Sequence, residues 1–261
     1  MKKWMTMILT AAMAFTGCAG EQAEAPEKTI TAEQTEQNVQ KETGKNTASL
    51  ELIRTEIVVQ EEGVIDGRHE SLHLSEKDAE SYPALAKAID AMCAEEQAVF
   101  EQTVKEFTEW AAEDEREMEY YNYDEMLVKR ADPQIVSILK SNACFTGGAH
   151  GMYGSWGVNF DSASGGELLL SDVVTDMSRI PKLTAESIIE KYQEEGYEDF
   201  SWLEESLEQQ ETELYTWTMD ENGITIYFQP YEIASYAMGL LTAEISFAEH
   251  PELFEEKYLL P

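Results

Sequence analysis

Residues 144–172 read CFTGGAHGMYGSWGVNFDSASGGELLLSD, and no other stretch limits the fold of this chain so strongly. An apolar strand end at Cys144 and Phe145 enters the glycine-rich bend TGGAHG. An alternating run follows (Trp156, Val158, Phe160), residues 162–166 turn again, and Leu168, Leu169 and Leu170 close the unit. Period-two alternation punctuated by glycine predicts strand, loop, strand, tight turn, strand. Gly147 and Gly148 allow positive φ or a close approach to the backbone, and His150 stands among them.

Around this unit the pattern predicts an α+β fold, a mainly antiparallel β-sheet with one long amphipathic helix and shorter helices. Residues 52–60 are rich in β-branched side chains and residues 68–74 follow a glycine bend, which reads as two paired strands. From Pro83 the apolar positions Leu85, Ile89, Met92, Val99, Phe100, Val104, Phe107 and Trp110 recur every three or four residues, giving one long helix with proline in its first turn. Its other face carries Glu95, Glu96, Glu101, Glu106, Glu109, Glu113 and Glu117, so that face is solvated or meets something cationic. Residues 135–145 read as a strand, 180–195 and 200–210 as short helices, 213–228 as a hairpin and 240–247 as a strand before a helical tail.

The N-terminus has another character. Lys2 and Lys3 precede an apolar run too short to span a bilayer, placed like a secretory signal, and Thr16 and Gly17 lead to Cys18. This resembles a bacterial lipoprotein signal, which implies that residues 1–17 are removed and Cys18 is acylated, holding the protein on the extracytoplasmic side of the cytoplasmic membrane. Residues 18–48, mostly Glu, Gln, Thr, Lys and Ala, bury too little apolar surface to fold and read as a disordered tether. The remainder divides at the central loop into an N-terminal α+β subdomain, 49–142, and a second α+β domain, 143–261.

Composition narrows the partners. The chain has 18 basic and 52 acidic residues; without Lys2 and Lys3 the balance is 16 against 52, a net charge of −36. Such a surface repels nucleic acid and anionic headgroups and attracts basic proteins, although acidity also serves solubility alone.

Two motifs raise the question of catalysis. His69, Glu70 and His73 spell H-E-x-x-H, which on a helix is a zinc peptidase signature. The flanking glycines and the lack of apolar periodicity favour a strand, where residues four apart lie too far from one another for one zinc. The peptidase stands as the alternative to a non-catalytic binder. His150 lacks a nucleophile and an orienting partner at triad-like spacing, and a histidine in a glycine turn commonly bonds neighbouring backbone. No cofactor or metal is implied, and His250 is assigned no role. Cys93 and Cys144 can pair outside the cell or can pack as apolar groups, and spacing does not decide between these.

The succession of aromatic, TGGAHG, NFD strand, Ser/Gly turn and leucine run ending in SD resembles the extracytoplasmic RsiV-like C-terminal domain. The later segment ITIYFQPYEIASYAMGLL is similar to the closing segment of that family. The likeness covers about the last half of the chain, and the part before it looks like the small domain that often precedes this one. The best understood member is an anti-sigma factor whose outer domain binds C-type lysozyme and so triggers its own proteolysis; relatives also adjoin polysaccharide deacetylase domains. No sigma-binding segment precedes the export signal here, so the resemblance implies recognition rather than that signalling. Expected, then, is a binder of a basic extracellular protein such as C-type lysozyme, with cell-wall glycan as a further ligand class. Its surface is expected to comprise Gly147, Gly148, His150, Tyr153, Trp156, Tyr231 and Tyr236, where tyrosine and tryptophan offer large area at small entropic cost.

Overall fold

The computed structural model describes residues 32–39, 49–116, 118–194, 196–197, 199–208 and 210–259. The export signal and Cys18 lie outside them. Among the described residues, no helix is long and apolar enough to cross a membrane.

The first sheet has six strands in spatial order β1 to β6: Ala32–Val39, Leu52–Glu61, Ile65–Leu74, Tyr120–Ala131, Ile135–Phe145 and Met152–Asp161. Every pair is antiparallel except β3 and β4. A parallel pair needs a crossover, which the chain supplies through α1 (Glu76–Ser81) and the long α2 (Pro83–Glu113). The helix forms where the apolar spacing predicts. Leu85, Ile89, Cys93, Phe100, Val104 and Phe107 are buried against the sheet, while Glu95, Glu101, Glu109 and Glu113 face water. Glu96 instead pairs with Lys140 of β5.

The parallel ladder is short, running only from Ile65 opposite Tyr120 to His69 opposite Asp124. Beyond it the strands part, and buried backbone groups take side-chain partners instead. Glu70 accepts the Met126 N–H at 2.8 Å, Arg54 donates to the Met126 carbonyl at 2.8 Å, and the two side chains bond each other at 2.9 Å. On the other side of the gap, the Cys93 sulfur lies 3.3 Å from both the N–H and the carbonyl oxygen of Leu72.

A second sheet contains β7 (Thr216–Met219), β8 (Gly223–Phe228) and β9 (Leu241–Ser246), all antiparallel. Helix α3 (Ile180–Glu194) packs on it through Ile180 and Ile188, and Leu203 and Leu207 of α4 (Leu203–Glu208) extend the same core. The two sheets meet along a polar seam between β6 and β7. Ser137 accepts the Met219 N–H at 2.8 Å and donates to Asn159 at 2.6 Å; Asn159 donates to the Trp217 carbonyl at 2.9 Å; and Thr216 accepts the Gly157 N–H at 3.0 Å. Buried Arg130 adds a strap, bonding Asp132 at 2.6 Å and the carbonyl of Tyr258 at 2.8 Å.

The paired strands, long helix, short helices, hairpin and closing strand follow the sequence pattern. Three features depart from it. The leucine run makes no third strand: a single bridge joins Glu167 to Phe160, and Leu170–Asp172 then winds into a 3-10 turn, because Asp172 accepts the Leu169 N–H and Leu170 drops into the second core. The division at residue 142 falls inside β5, and β6 completes the first sheet, so the glycine-rich loop is a hairpin tip and not a domain junction. Within the stretch read as a tether, Ala32–Val39 pairs antiparallel with β2. Strand pairing draws on backbone hydrogen bonds, which a polar composition does not remove.

Gly157 tests the seam. A Cβ there would stand 1.7 Å from the carbonyl oxygen of Trp217, with backbone on both sides of the clash. Gly157→Ala is expected to lower stability by roughly 3 kcal/mol, the scale of core overpacking. Gly63→Ala, at positive φ with nothing within 4 Å, is expected to cost about 1 kcal/mol. Thermal or urea unfolding of both variants compares the two effects.

Candidate functional site

The tip of the β5–β6 hairpin and the segment following β8 meet at one end of the seam. Gln229 joins them with its side-chain amide: it accepts the Ser155 N–H at 2.8 Å and donates back to the Ser155 carbonyl. An outer face of the β6 edge is thus capped by a side chain imitating the next strand. The chain then turns tightly, Glu232 N–H to the Gln229 carbonyl at 2.9 Å, and carries Tyr231 and Tyr236 to the hairpin tip.

Four rings converge there. The His150 ring stacks on Tyr236 with centroids 4.0 Å apart, Tyr153 meets Tyr236 edge-on at 5.8 Å, and Tyr231 lies 5.5 Å from it on another side. The Tyr236 hydroxyl donates to the Gly151 carbonyl at 2.7 Å, and His150 Nδ1 bonds the same oxygen at 2.8 Å. Burial, and after it the phenols of Tyr153 and Tyr231, push the Tyr236 phenol above its ordinary value, which keeps it a neutral donor. Tyr236 and His150 therefore fix the tip, and Tyr231 is the most exposed of the three tyrosines at 62 %, with Tyr153 at 38 %. Its φ of +71° is rare for a bulky residue and costs on the order of 1–3 kcal/mol, which the surrounding turn must offset to hold the phenol outward.

Gly147 is required by its backbone conformation, at φ +78°. A Cβ would meet Arg116 Nη2 at 2.5 Å, but the guanidinium it faces could move aside. Arg116 is held by Asp114 and donates to the Gly147 carbonyl at 2.7 Å, tying the tip to the end of α2. Gly148 makes no such demand, since the nearest atom to its Cβ position lies 3.7 Å away. Trp156 does not join the cluster. Strand alternation puts it on the other face of β6 from Tyr153, where the indole folds back over Gly154 and stays 44 % exposed. The structure thus brings together His150, Tyr153, Tyr231 and Tyr236, sets Gly147 beside Arg116 in the same bend, and leaves Trp156 apart. Arg116, Gln229 and Gly151 are supporting residues that sequence reasoning missed. Only Gly151 carried a local signal, as the last glycine of the bend.

The H-E-x-x-H segment lies on β3, not on a helix. Buried His69 uses both ring nitrogens internally, Nδ1 with Asp124 and Nε2 with Ser71, each at 3.2 Å, and stacks on Phe100 at 5.2 Å. His73 pairs separately with Asp90 of α2 at 2.8 Å, and Glu70 is committed to Arg54 and Met126. These residues do not make the shared helical face that zinc peptidase chemistry needs. Among the described residues, no group of three or more His, Cys, Asp or Glu is placed to hold a metal ion. Cys93 and Cys144 are both free thiols, and burial pushes each above the ordinary cysteine value.

The class this architecture defines is a two-sheet α+β protein with a long crossover helix. Residues 171–248, which span α3, the second sheet and the loop bearing Tyr231 and Tyr236, match the family model described as protein of unknown function DUF3298. The fold is shared with two solved structures. One is a DUF3298 family protein from Pseudomonas aeruginosa PAO1, with TM-score 0.57 and 17 % identity over 90 % of this chain and 98 % of that one. Another is a member of the family from Bacteroides fragilis NCTC 9343, with TM-score 0.51 and 19 % identity over 87 % of this chain and 94 % of that one. At these identities the likeness is one of fold. Among curated proteins none matches the chain.

Tyr236→Phe keeps the ring stack but removes the donor to Gly151. The expected loss is about 1 kcal/mol, the net worth of one such hydrogen bond. Urea unfolding measures it, and His150 ring resonances should broaden as the tip loosens.

Proposed function

We propose that the protein is a lipid-anchored, extracytoplasmic binding protein of the RsiV-like kind. Its aromatic tip captures a basic extracellular protein such as C-type lysozyme, serving as decoy, inhibitor or sensor. The observation that carries this reading is the convergence of His150, Tyr153, Tyr231 and Tyr236 from two separate loops on a chain of net charge −34. A rigid aromatic patch provides contact area with few rotamers to freeze, and the surrounding negative field draws a basic partner and speeds its encounter. Tyr231 is the natural anchor, being outward-facing and held by backbone geometry before any partner arrives.

Calorimetric titration of the mature domain with a C-type lysozyme at low and moderate salt tests the reading. Saturable binding that weakens with salt is expected, since exposed charges are screened within about 10 Å at 0.1 M. Tyr231→Ala should weaken it at least about tenfold, a loss near 1.4 kcal/mol, without changing the fold. No association at low salt would remove lysozyme as the ligand. Binding of soluble cell-wall fragments under the same conditions would move the assignment to glycan.

The anchor has its own test. Cys18→Ser should release the protein into the medium, because the acyl chains that would hold it can no longer be attached. Membrane retention of that variant, judged by fractionation, would count against lipidation.

A further inference from the structure

Away from the aromatic tip, the first sheet contains a hydrogen-bonded Ser–His–Asp relay. Ser71 Oγ lies 3.2 Å from His69 Nε2, and His69 Nδ1 lies 3.2 Å from Asp124 Oδ2. A carboxylate only accepts, so in the neutral imidazole the proton sits on Nδ1, Nε2 is left as acceptor, and the Ser71 hydroxyl donates to it. Asp124 is oriented in turn by Asn142, whose side-chain N–H donates to Oδ1 at 2.7 Å, and Phe100 stacks on the imidazole to fix its plane. Nucleophile, base and orienter are in the order that activates a serine, and such sets are identified by roles, not by sequence position.

A satisfied polar network in a core would show the same bonds. What points to chemistry is the cavity that Ser71, itself 6 % exposed, borders. Ser71 lines a cavity of about 430 Å³ between α2 and the β2–β3 pair, bounded also by Thr55, Ile57, His73, Asp90 and Gln97. That volume suits a small organic ligand. Cys93 borders the same cavity but is committed to the Leu72 backbone, and burial raises its thiol, so it is a poor competing nucleophile.

We infer that Ser71 is an activated nucleophile toward small acyl or phosphoryl donors that carry a good leaving group, and that it retains the group it accepts. Ser71 Oγ attacks the electrophilic carbon or phosphorus and the new bond forms. The bond to the leaving group breaks with its electron pair departing on that group, and the Oγ proton passes to His69 Nε2, where Asp124 faces the resulting imidazolium. The burial of His69, at 0 % exposure, sets the substrate class. A sealed imidazole does not reach a poor leaving group to protonate it, nor a water to activate it, so the donor must leave as a stable anion and the adduct persists.

Diisopropyl fluorophosphate is a direct probe, since fluoride leaves unprotonated. Incubation with the mature domain, followed by intact mass and peptide mapping, is expected to give one equivalent on Ser71. Ser71→Ala, checked for native circular dichroism, should take up none at that peptide. Asp124→Asn should slow labelling at least tenfold while Cys93→Ala leaves it unchanged. Absence of an adduct on Ser71 of the folded protein, labelling confined to tyrosines, or an undiminished rate in Asp124→Asn would each overturn the inference. Should Asp124→Asn fail to fold, the wild-type and Ser71→Ala arms decide by themselves. These outcomes are independent of lysozyme binding at the aromatic tip.

Discussion

The placement of the aromatic patch depends on the seam where the edge of β7 meets β6. An edge strand presents unpaired N–H and carbonyl groups, and burying them without partners is costly. Here side chains satisfy them: Ser137 takes the Met219 N–H and Asn159 donates to the Trp217 carbonyl, both side chains being almost fully buried. Gly157 lets the strands approach until no Cβ could fit. A purely apolar contact would tolerate sliding by a residue. This one does not, because Ser137 and Asn159 bond each other as well as the β7 backbone, and a shift would leave several buried groups unsatisfied. The relative position of the two sheets is therefore fixed, and with it the distance between the hairpin tip of one and the loop that follows β8 in the other.

The first sheet uses the same device at its other irregularity. Where β3 and β4 separate, Arg54, Glu70 and Cys93 take over the bonds that a continued ladder would have made. A cavity lies between α2 and the β2–β3 pair, and Ser71 and His73 are among its walls. The polar residues of the H-E-x-x-H segment thus divide their work. Glu70 closes the gap, His69 is sealed by Phe100 and Asp124, and His73 remains at the rim with Asp90. The match to a zinc motif follows from strand residues that have three unrelated local tasks.

Legibility in the sequence divides along physical lines. Helix α2 could be read because its burial repeats along one element, from Leu85 to Phe107, and hairpin β7–β8 because the turn residues Asp220 to Gly223 are local. The crowding of aromatics on the two loops was equally visible, and so was the strand state of His69. What escaped was set by tertiary pairing. Nothing near Gln229 announces that its amide will cap Ser155, or that Arg116 will reach the Gly147 carbonyl from the end of α2. Trp156 looked like a member of the patch because composition does not record which face of a strand a residue takes, and a one-residue difference from Ser155 decides it. The leucine run misled for a related reason. Three apolar residues suit a strand or a buried turn equally well, and the Asp172 carboxylate closing back on Leu169 selects the turn.

The capping amide also explains why the aromatic tip can be exposed without inviting aggregation. A free β6 edge beside Tyr153 and Tyr231 would combine open backbone with apolar rings, the conditions under which chains add to one another as strands. Gln229 occupies the Ser155 backbone and Thr216 the Gly157 N–H on this edge, and Tyr236 takes the Gly151 carbonyl just before it, so these three positions are already bonded. What stays open at the tip is side-chain surface, chiefly the Tyr231 phenol held outward by a backbone conformation that the turn enforces. A partner arriving there meets rings and negative charge but no unpaired strand at those positions. Recognition must then proceed through shape and electrostatics, which allows a strongly acidic protein to display an aromatic patch and remain selective.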